Sequence, residues 1–505
     1  TGLPDFQFWH CVFLQTERAA MKPKRQEFVP QEDLFRMRLE NLIDPRHELV
    51  RLASLIDWPV FEREFGAIHA EGPGQPPLPT RLMAGLTYLK HCFALSDEEV
   101  VARWCENPYW QHFCGEVFFR HELPCHPTSL TRWRKRVGET GCEWLLTETI
   151  EAGKRAGALK RQSFEKVIVD TTVQEKAVAH PTDSRLLNTA REKLVEAAQS
   201  EGIELRQSYA RVGPRKQWQA GRYAHAKQYK RMRSAIRSLR TWLGRVIRDV
   251  ERKAASPSPK LAEILDRAKR FHAQKREDKN KLYAWHAPEV ECIAKGKARR
   301  PYEFGVKVSL AITVKEGFVV GARSMPGSPY DGHTLAEQLE QVEILTGYRP
   351  KQAFVDRGYR GGEVPDGCTM YVSGQKRGVT AALKRWIKRR SAIEPHIGHM
   401  KSDGLLGRCH LKGAEGDAMH AVLCGAGHNL RLLLNRLRAF LRLLYEWIVS
   451  RLLLSPELIA ALTPQRSIRC GEKMILQGRL ITAFDIVCNT FEKLLEFFYR
   501  NWATK

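Results

Sequence analysis

The chain has 505 residues, 43% of them hydrophobic, which is enough for two or three domains with real cores and excludes a disordered polymer. Lys and Arg outnumber Asp and Glu by 82 to 57, a formal charge of +25 with a pI near 9.7, so a polyanionic partner is expected, nucleic acid before anionic membrane, against the plainer alternative of a basic protein with a solvated surface. Twelve cysteines form no CxxC pair, and Cys125-His126 and Cys409-His410 lack zinc-finger spacing, so these thiols read as reduced and structural.

From the N-terminus, "TGLPDFQFWHCVFLQTERAA" has no basic stretch followed by an apolar one, so no signal peptide is read and a cytoplasmic protein is expected. Met21 opens a more ordinary sequence, and residues 1–45 are taken as a leader whose first twenty residues precede the true start. Residues 46–160 read as a helical DNA-binding region. "HELVRLASLIDWPVFEREF", "PTRLMAGLTYLKHCFA" with its proline at the entry, and "SDEEVVARWCENPYWQHF" with a capping-box start are successive short helices. The helix beginning near Thr128 or Ser129 carries Arg132, Arg134, Lys135 and Arg136. It either lies along DNA, as a recognition element does, or is a solvated basic helix packed through Leu130, Trp133 and Val137.

At residue 164 the hydrophobic period changes. Val167, Ile168 and Val169 form a β-branched run ending at Asp170-Thr171-Thr172, a buried strand that stops at a polar edge, with a second strand through Val173 to Val178. A basic helical insertion follows over about residues 184–285, its composition suited either to phosphate contacts or to a solvated hairpin. Strands resume at 302–327 around a hairpin turn at Lys315-Glu316-Gly317, and "SPYDGHTLAEQLEQVEIL" is a helix with Asp331 as its N-cap. Ala353-Phe354-Val355 is a short strand ending in Asp356, and Met370-Tyr371-Val372 is another. The predicted class is α/β: a mixed-sheet core over 161–402, a helical N-terminal region, the helical insertion, and a helical tail over 403–505 of uncertain origin beyond about 456. The apolar segment at 441–454 is interrupted by Arg442, Glu446 and Arg451 and reads as a packing helix, not a membrane span.

Two strands that end in aspartate, followed by Glu394 on a helix, form the constellation with chemical meaning. Strand ends hold side chains rigidly, so Asp170 and Asp356 are expected to face each other, with Glu394 completing a site for Mg²⁺. Singly, each has a plain structural reading, as a turn cap or as a helix-surface partner of Arg390. Jointly they suit phosphodiester chemistry, in which two ions activate the attacking oxygen and neutralise charge at phosphorus.

"VIVDTT", "AFVDRGYRG" and "RRSAIEPHIGHMKSDG" resemble the three catalytic blocks of the DDE transposases of bacterial insertion sequences, in the group whose third block carries a Y-R-E-K signature. The resemblance extends over roughly residues 30–450 and includes "GSPYDGHTL". It implies a ribonuclease-H-like core, Asp170, Asp356 and Glu394 as catalytic metal ligands, two Mg²⁺ ions or Mn²⁺ in their place, and Arg390 and Lys401 as residues contacting DNA. It further implies cleavage at element ends, strand transfer into target DNA, double-stranded DNA as partner, a homo-oligomeric synaptic complex, no membrane, and a place at the bacterial nucleoid. Ile387 stands where the signature tyrosine belongs, with Trp386 beside it. Pro395 either kinks the helix or occupies its first turn, leaving the place of Arg390 open. His396 and His399 lie off the face of Glu394 and read as solvated or DNA-facing. The rival readings are a catalytically inactive, DNA-binding descendant and a nuclease of the same fold without strand transfer.

Overall fold

The computed structural model describes residues 37–66, 78–275, 277–294, 301–364 and 366–453, with side chains to residue 438. Residues 1–36 of the leader, Met21 among them, and the tail beyond 456 lie outside the described residues. One unit runs to Arg431; a second, from Leu432, is described only as helix, to Leu453. No helix among the described residues is long and apolar enough to cross a membrane.

The first part is helical: α1 (Leu39–Leu42), α2 (Glu48–Leu55), α3 (Trp58–Gly66), α4 (Thr80–Phe93), α5 (Asp97–Glu106), α6 (Pro108–Phe113) and α7 (Pro127–Arg155). Their starts follow local chemistry. Ser96 and Glu99 close a reciprocal capping box on α5, with bonds of 3.1 and 2.9 Å, and Asn107 caps α6, whose first residue is proline. Helix α4 is buried nearly all round, through Leu82, Met83, Leu86, Tyr88 and Leu89, and forms the centre of this layer. Helix α7 breaks direction at Gly138, whose φ of 65° suits glycine.

The sheet begins with β1 (Lys166–Glu175). The chain then leaves through α8 (Asp183–Ser200), α9 (Val212–His225), α10 (Tyr229–Lys253) and α11 (Pro259–Ala273). Helices α8, α10 and α11 bury a cluster of their own, including Leu194, Leu239, Leu243, Val250, Leu261 and Phe271. The expected insertion is therefore a module with a core of its own. Then follow β2 (Glu291–Ala294), β3 (Tyr302–Thr313), β4 (Val319–Met325), α12 (Leu335–Thr346), β5 (Gln352–Val355), β6 (Thr369–Val372), α13 (Ala381–Arg389), α14 (Ile393–Ser402) and α15 (Gly413–Leu453).

The strands pair in the order β2-β3-β1-β5-β6, with β4 also on β3. The β1, β3 and β4 pairings are antiparallel, while β5 and β6 add in parallel on the other side of β1. An antiparallel meander continued by two parallel strands is the ribonuclease-H-like core. The hairpin turn at Lys315-Glu316-Gly317 joins β3 to β4 as expected, with Gly317 at φ 74°.

Two strand readings need correction. β1 is one uninterrupted strand that runs through Asp170, because β3 pairs with it from Val167↔Thr313 to Glu175↔Gly305. β2, unforeseen, pairs with the portion of β3 that β4 leaves bare, Tyr302 to Gly305. One face of the sheet packs Ile168, Leu310, Ile312 and Phe354 against Ile387, Ile393 and Met400 from α13 and α14. Full burial of each such side chain contributes about 1.5–3 kcal/mol relative to exposure, so this face fixes where α13 and α14 lie.

Candidate active site

The site forms where β1 loses one of its two neighbours. β5 pairs with β1 in parallel only as far as Ile168↔Phe354, and two residues further along each strand stand Asp170 and Asp356. Side chains alternate along a strand, so Asp170 shares the face of Ile168. Ile168 and Phe354 pack in the cluster that contains Ile387 and Ile393. The third segment therefore crosses above the level at which the two aspartates sit.

That segment is not one continuous helix. α13 ends at Arg389, a single 3₁₀ turn covers Arg390–Ala392, and α14 starts at Ile393. Pro395 thus occupies the first turn of α14, where its missing N–H forfeits no helical bond. Arg390 nevertheless reaches Glu394: its Nη1 donates to Glu394 Oε1 at 3.0 Å. Its Nη2 donates to Asp170 Oδ2 at 2.6 Å and stands 3.8 Å from Asp356 Oδ2. One guanidinium gathers carboxylates from β1, from the end of β5 and from α14.

The surroundings contain more negative charge than the arginine cancels. Burial pushes the Asp170 carboxyl up to about 6; Arg390 pulls it down, and Asp356 and Asp331 push it further up. Asp331 was expected to cap a helix. Instead a 3₁₀ turn, Asp331–Thr334, precedes α12, and its carboxylate points into the site. Its Oδ1 accepts from Thr171 Oγ1 at 2.9 Å and from Lys307 Nζ at 3.0 Å. A Cβ on Gly358 would lie 2.9 Å from both Asp331 Oδ2 and Asp356 Oδ1, so the absent side chain leaves a cradle between two carboxylates. Gly358 N–H also donates to Asp356 Oδ1 at 2.8 Å. Asp331 and Lys307 are the site residues that sequence reasoning missed; for Asp331 the signal was the "GSPYDGHTL" block itself, and Lys307 had none.

Residues 37–136 match the family described as Transposase domain (DUF772), and residues 268–430 match the Transposase DDE domain. A relative from Rhizobium meliloti, an uncharacterized protein named ORF8 in the nfe locus, is 53% identical over 209 residues, which is 41% of this chain and the whole of the relative. No solved structure matches. The chain belongs to the insertion-sequence DDE transposases. Asp356 and Glu394 fall within the matched DDE range; Asp170 and helices α8 to α10 fall outside both ranges.

Transposases of this family generally use divalent metals. Among the described residues no three His, Cys, Asp or Glu side chains stand arranged to hold a metal ion; the carboxylates converge on Arg390 instead. The donor set still fits such an ion, because hard carboxylate oxygens suit Mg²⁺ and the guanidinium between them shows that the site accepts positive charge.

Several other expected residues of this transposase are placed as follows. Arg132, Lys135 and Arg136 are exposed on the first half of α7. Arg134 is not available to DNA: it is 3% exposed and grips Asp97 with two bonds, of 2.9 and 2.5 Å. Lys401 is half-buried, seven residues after Glu394 in the same helix. Ile387, expected at the signature-tyrosine position, is buried in the sheet cluster. Trp386 beside it is half-buried, with Lys166 Nζ 4.6 Å and Lys315 Nζ 5.8 Å from its ring. His396 corrects the solvated reading: it is half-buried, with Nδ1 3.2 Å from Nε2 of buried His428. His399 is exposed and pairs with Asp403 at 2.6 Å.

Proposed function

We propose that this transposase cleaves phosphodiester bonds at the ends of its insertion element and joins the freed 3′-hydroxyl to target DNA, with Asp170, Asp356 and Glu394 as the catalytic carboxylates. The observation that carries the reading is their convergence: residues 170, 356 and 394, remote in sequence, meet around Arg390. Magnesium or manganese held by these three carboxylates would supply activation of the attacking oxygen and neutralisation of charge at phosphorus. The chain's own part is positional. Asp170 rides on β1 and Asp356 directly follows the adjacent β5, and hydrogen bonds through Gly358 and Thr171 fix the carboxylates of Asp356 and Asp331 beside Asp170. Arg390 and Lys401, with Arg132, Lys135 and Arg136, provide cationic groups for phosphate oxygens. Bringing two element ends together calls for a homo-oligomer, and a chromosomal substrate places the protein in the cytoplasm.

The deciding experiment is a magnesium-dependent cleavage and strand-transfer assay on the element's own ends, comparing wild type with Glu394→Gln. Joined products from wild type and none from the variant support the reading. Cleavage without joining identifies a nuclease, and DNA binding with neither product identifies an inactive descendant.

A further inference from the structure

Between residues 205 and 248 the chain carries thirteen Lys and Arg and no Asp or Glu. The structure sorts these residues. On α10, Ala235, Leu239, Leu243, Val246 and Val250, spaced by three and four, are buried in the insertion core. The opposite stripe, Lys230, Arg233, Arg237, Thr241, Arg245 and Arg248, has the same spacing and every member is exposed. At about 1.5 Å per residue this stripe is roughly 27 Å long, most of one turn of B-DNA at about 34 Å.

An ordinary solvated helix face mixes charges, because like charges a turn apart repel. Helices α8 and α11 of this insertion do so: Lys193 pairs with Glu196 at 2.8 Å and Arg267 with Glu263 at 2.6 Å. No ion pair among the described residues neutralises any of the five basic residues of the α10 stripe. Arg233 and Arg245 donate only to neutral acceptors, the Tyr229 carbonyl at 3.3 Å and the Tyr209 hydroxyl at 3.2 Å. The preceding helix adds Trp218, 61% exposed, with the Arg222 guanidinium 4.8 Å from its ring. A rigid rod, cored on one side and uniformly cationic on the other, has the charge complement of a polyphosphate backbone.

We propose that the exposed face of α10 is a docking surface for the phosphates of duplex DNA, built into the insertion and separate from the acidic centre. It rests on the reading that the protein acts on DNA, and it assigns a role to a module that lies outside both matched family ranges up to the start of α11. Such contacts hold the backbone without reading bases.

The test uses the full chain without divalent metal and measures affinity against salt for two duplexes of unrelated sequence. Replacing Arg233, Arg237, Arg245 and Arg248 together by Gln, a good helix former, is expected to lower the slope of log K against log salt by roughly three to four on both duplexes. An unchanged slope overturns the proposal, and so does a loss confined to one duplex, which would mean base readout. Circular dichroism checks that the variant folds; if it does not, Arg237→Gln alone must lower the slope by roughly one. A protein that never cleaves yet loses slope in the Gln variants keeps this docking surface while the catalytic reading falls.

Discussion

Arg132 and Arg134 stand two residues apart on α7 and have opposite roles. Arg132 is exposed, whereas Arg134 ties α7 to the first turn of α5 through Asp97, which also binds Lys90 at 2.8 Å. Burial raises the Asp97 carboxyl, but the Arg134 bonds and the charge of Lys90 outweigh it and hold the group at about 2. Removing one partner of a buried pair leaves the other uncompensated, so Arg134→Gln should cost about 3–5 kcal/mol in urea unfolding. Arg132→Gln should change stability by less than about 0.5 kcal/mol. Because the Asp97 pKa is depressed, its stabilisation is present above the unfolded value near 4 and is lost as pH falls from there toward 2. His420 is held neutral rather than charged, yet it too favours the folded state at higher pH. Burial lowers it to about 4, while its Nε2 lies 2.9 Å from the Leu405 carbonyl. The native state holds it neutral where the unfolded chain takes up a proton, so stability drains away as pH falls below about 6.5. Unfolding at pH 7.5 and 5.5 should show about 1 kcal/mol of loss that is missing in His420→Gln.

Two glycines mark close approaches, one between strand backbones and one at the acidic site. A Cβ on Gly305 would lie 1.9 Å from the Gln174 carbonyl oxygen, inside the β1–β3 ladder. Gly305→Ala should therefore force the strands apart and cost several kcal/mol, read as a lowered midpoint of thermal unfolding. Gly358→Ala is a different case, since its Cβ would meet two carboxylate oxygens rather than backbone. It should leave the melting curve nearly unchanged and reduce DNA cleavage by about a hundredfold, the scale expected when the groups that hold a catalytic centre are misplaced.

These two positions also show what could be read in advance. Helix starts at Ser96 and Asn107, the insertion and the β3–β4 hairpin were legible because capping and period are local properties. That β1 continues past Asp170 was not, because it depends on β3 still pairing after β5 has left. Arg134 looked like its exposed neighbours because its partner Asp97 is 37 residues away. Asp331 has the position of an N-cap, and only Thr171 and Lys307, from two other strands, turn it into the site. Convergence of the three carboxylates was foreseen from their block order; that Arg390 would sit between them was not, since it depends on the 3₁₀ break at Arg390–Ala392.

At the scale of the whole molecule, the acidic centre and the basic insertion are independent structures on one chain, each with its own buried cluster. Chelation with EDTA should accordingly stop cleavage while leaving duplex binding and its salt dependence in place, measured by fluorescence anisotropy. The insertion sits inside the sheet's sequence, and its entry and exit are pinned together: Lys176, just after β1, bonds Glu289, just before β2, at 2.7 Å. This arrangement has a consequence for synthesis. β1 leaves the ribosome about 130 residues before Gly305, its pairing partner at Glu175, and at roughly 5–20 residues per second it waits on the order of ten seconds with both edges bare. In that interval helices α8, α10 and α11 can close on their own core, returning the chain near its departure point. A loop whose closure would oppose pairing in proportion to the logarithm of its length becomes a short effective one. The insertion thus shortens the search by which the nascent strand finds its neighbour, and a variant with a weakened insertion core should betray itself first as aggregation during expression.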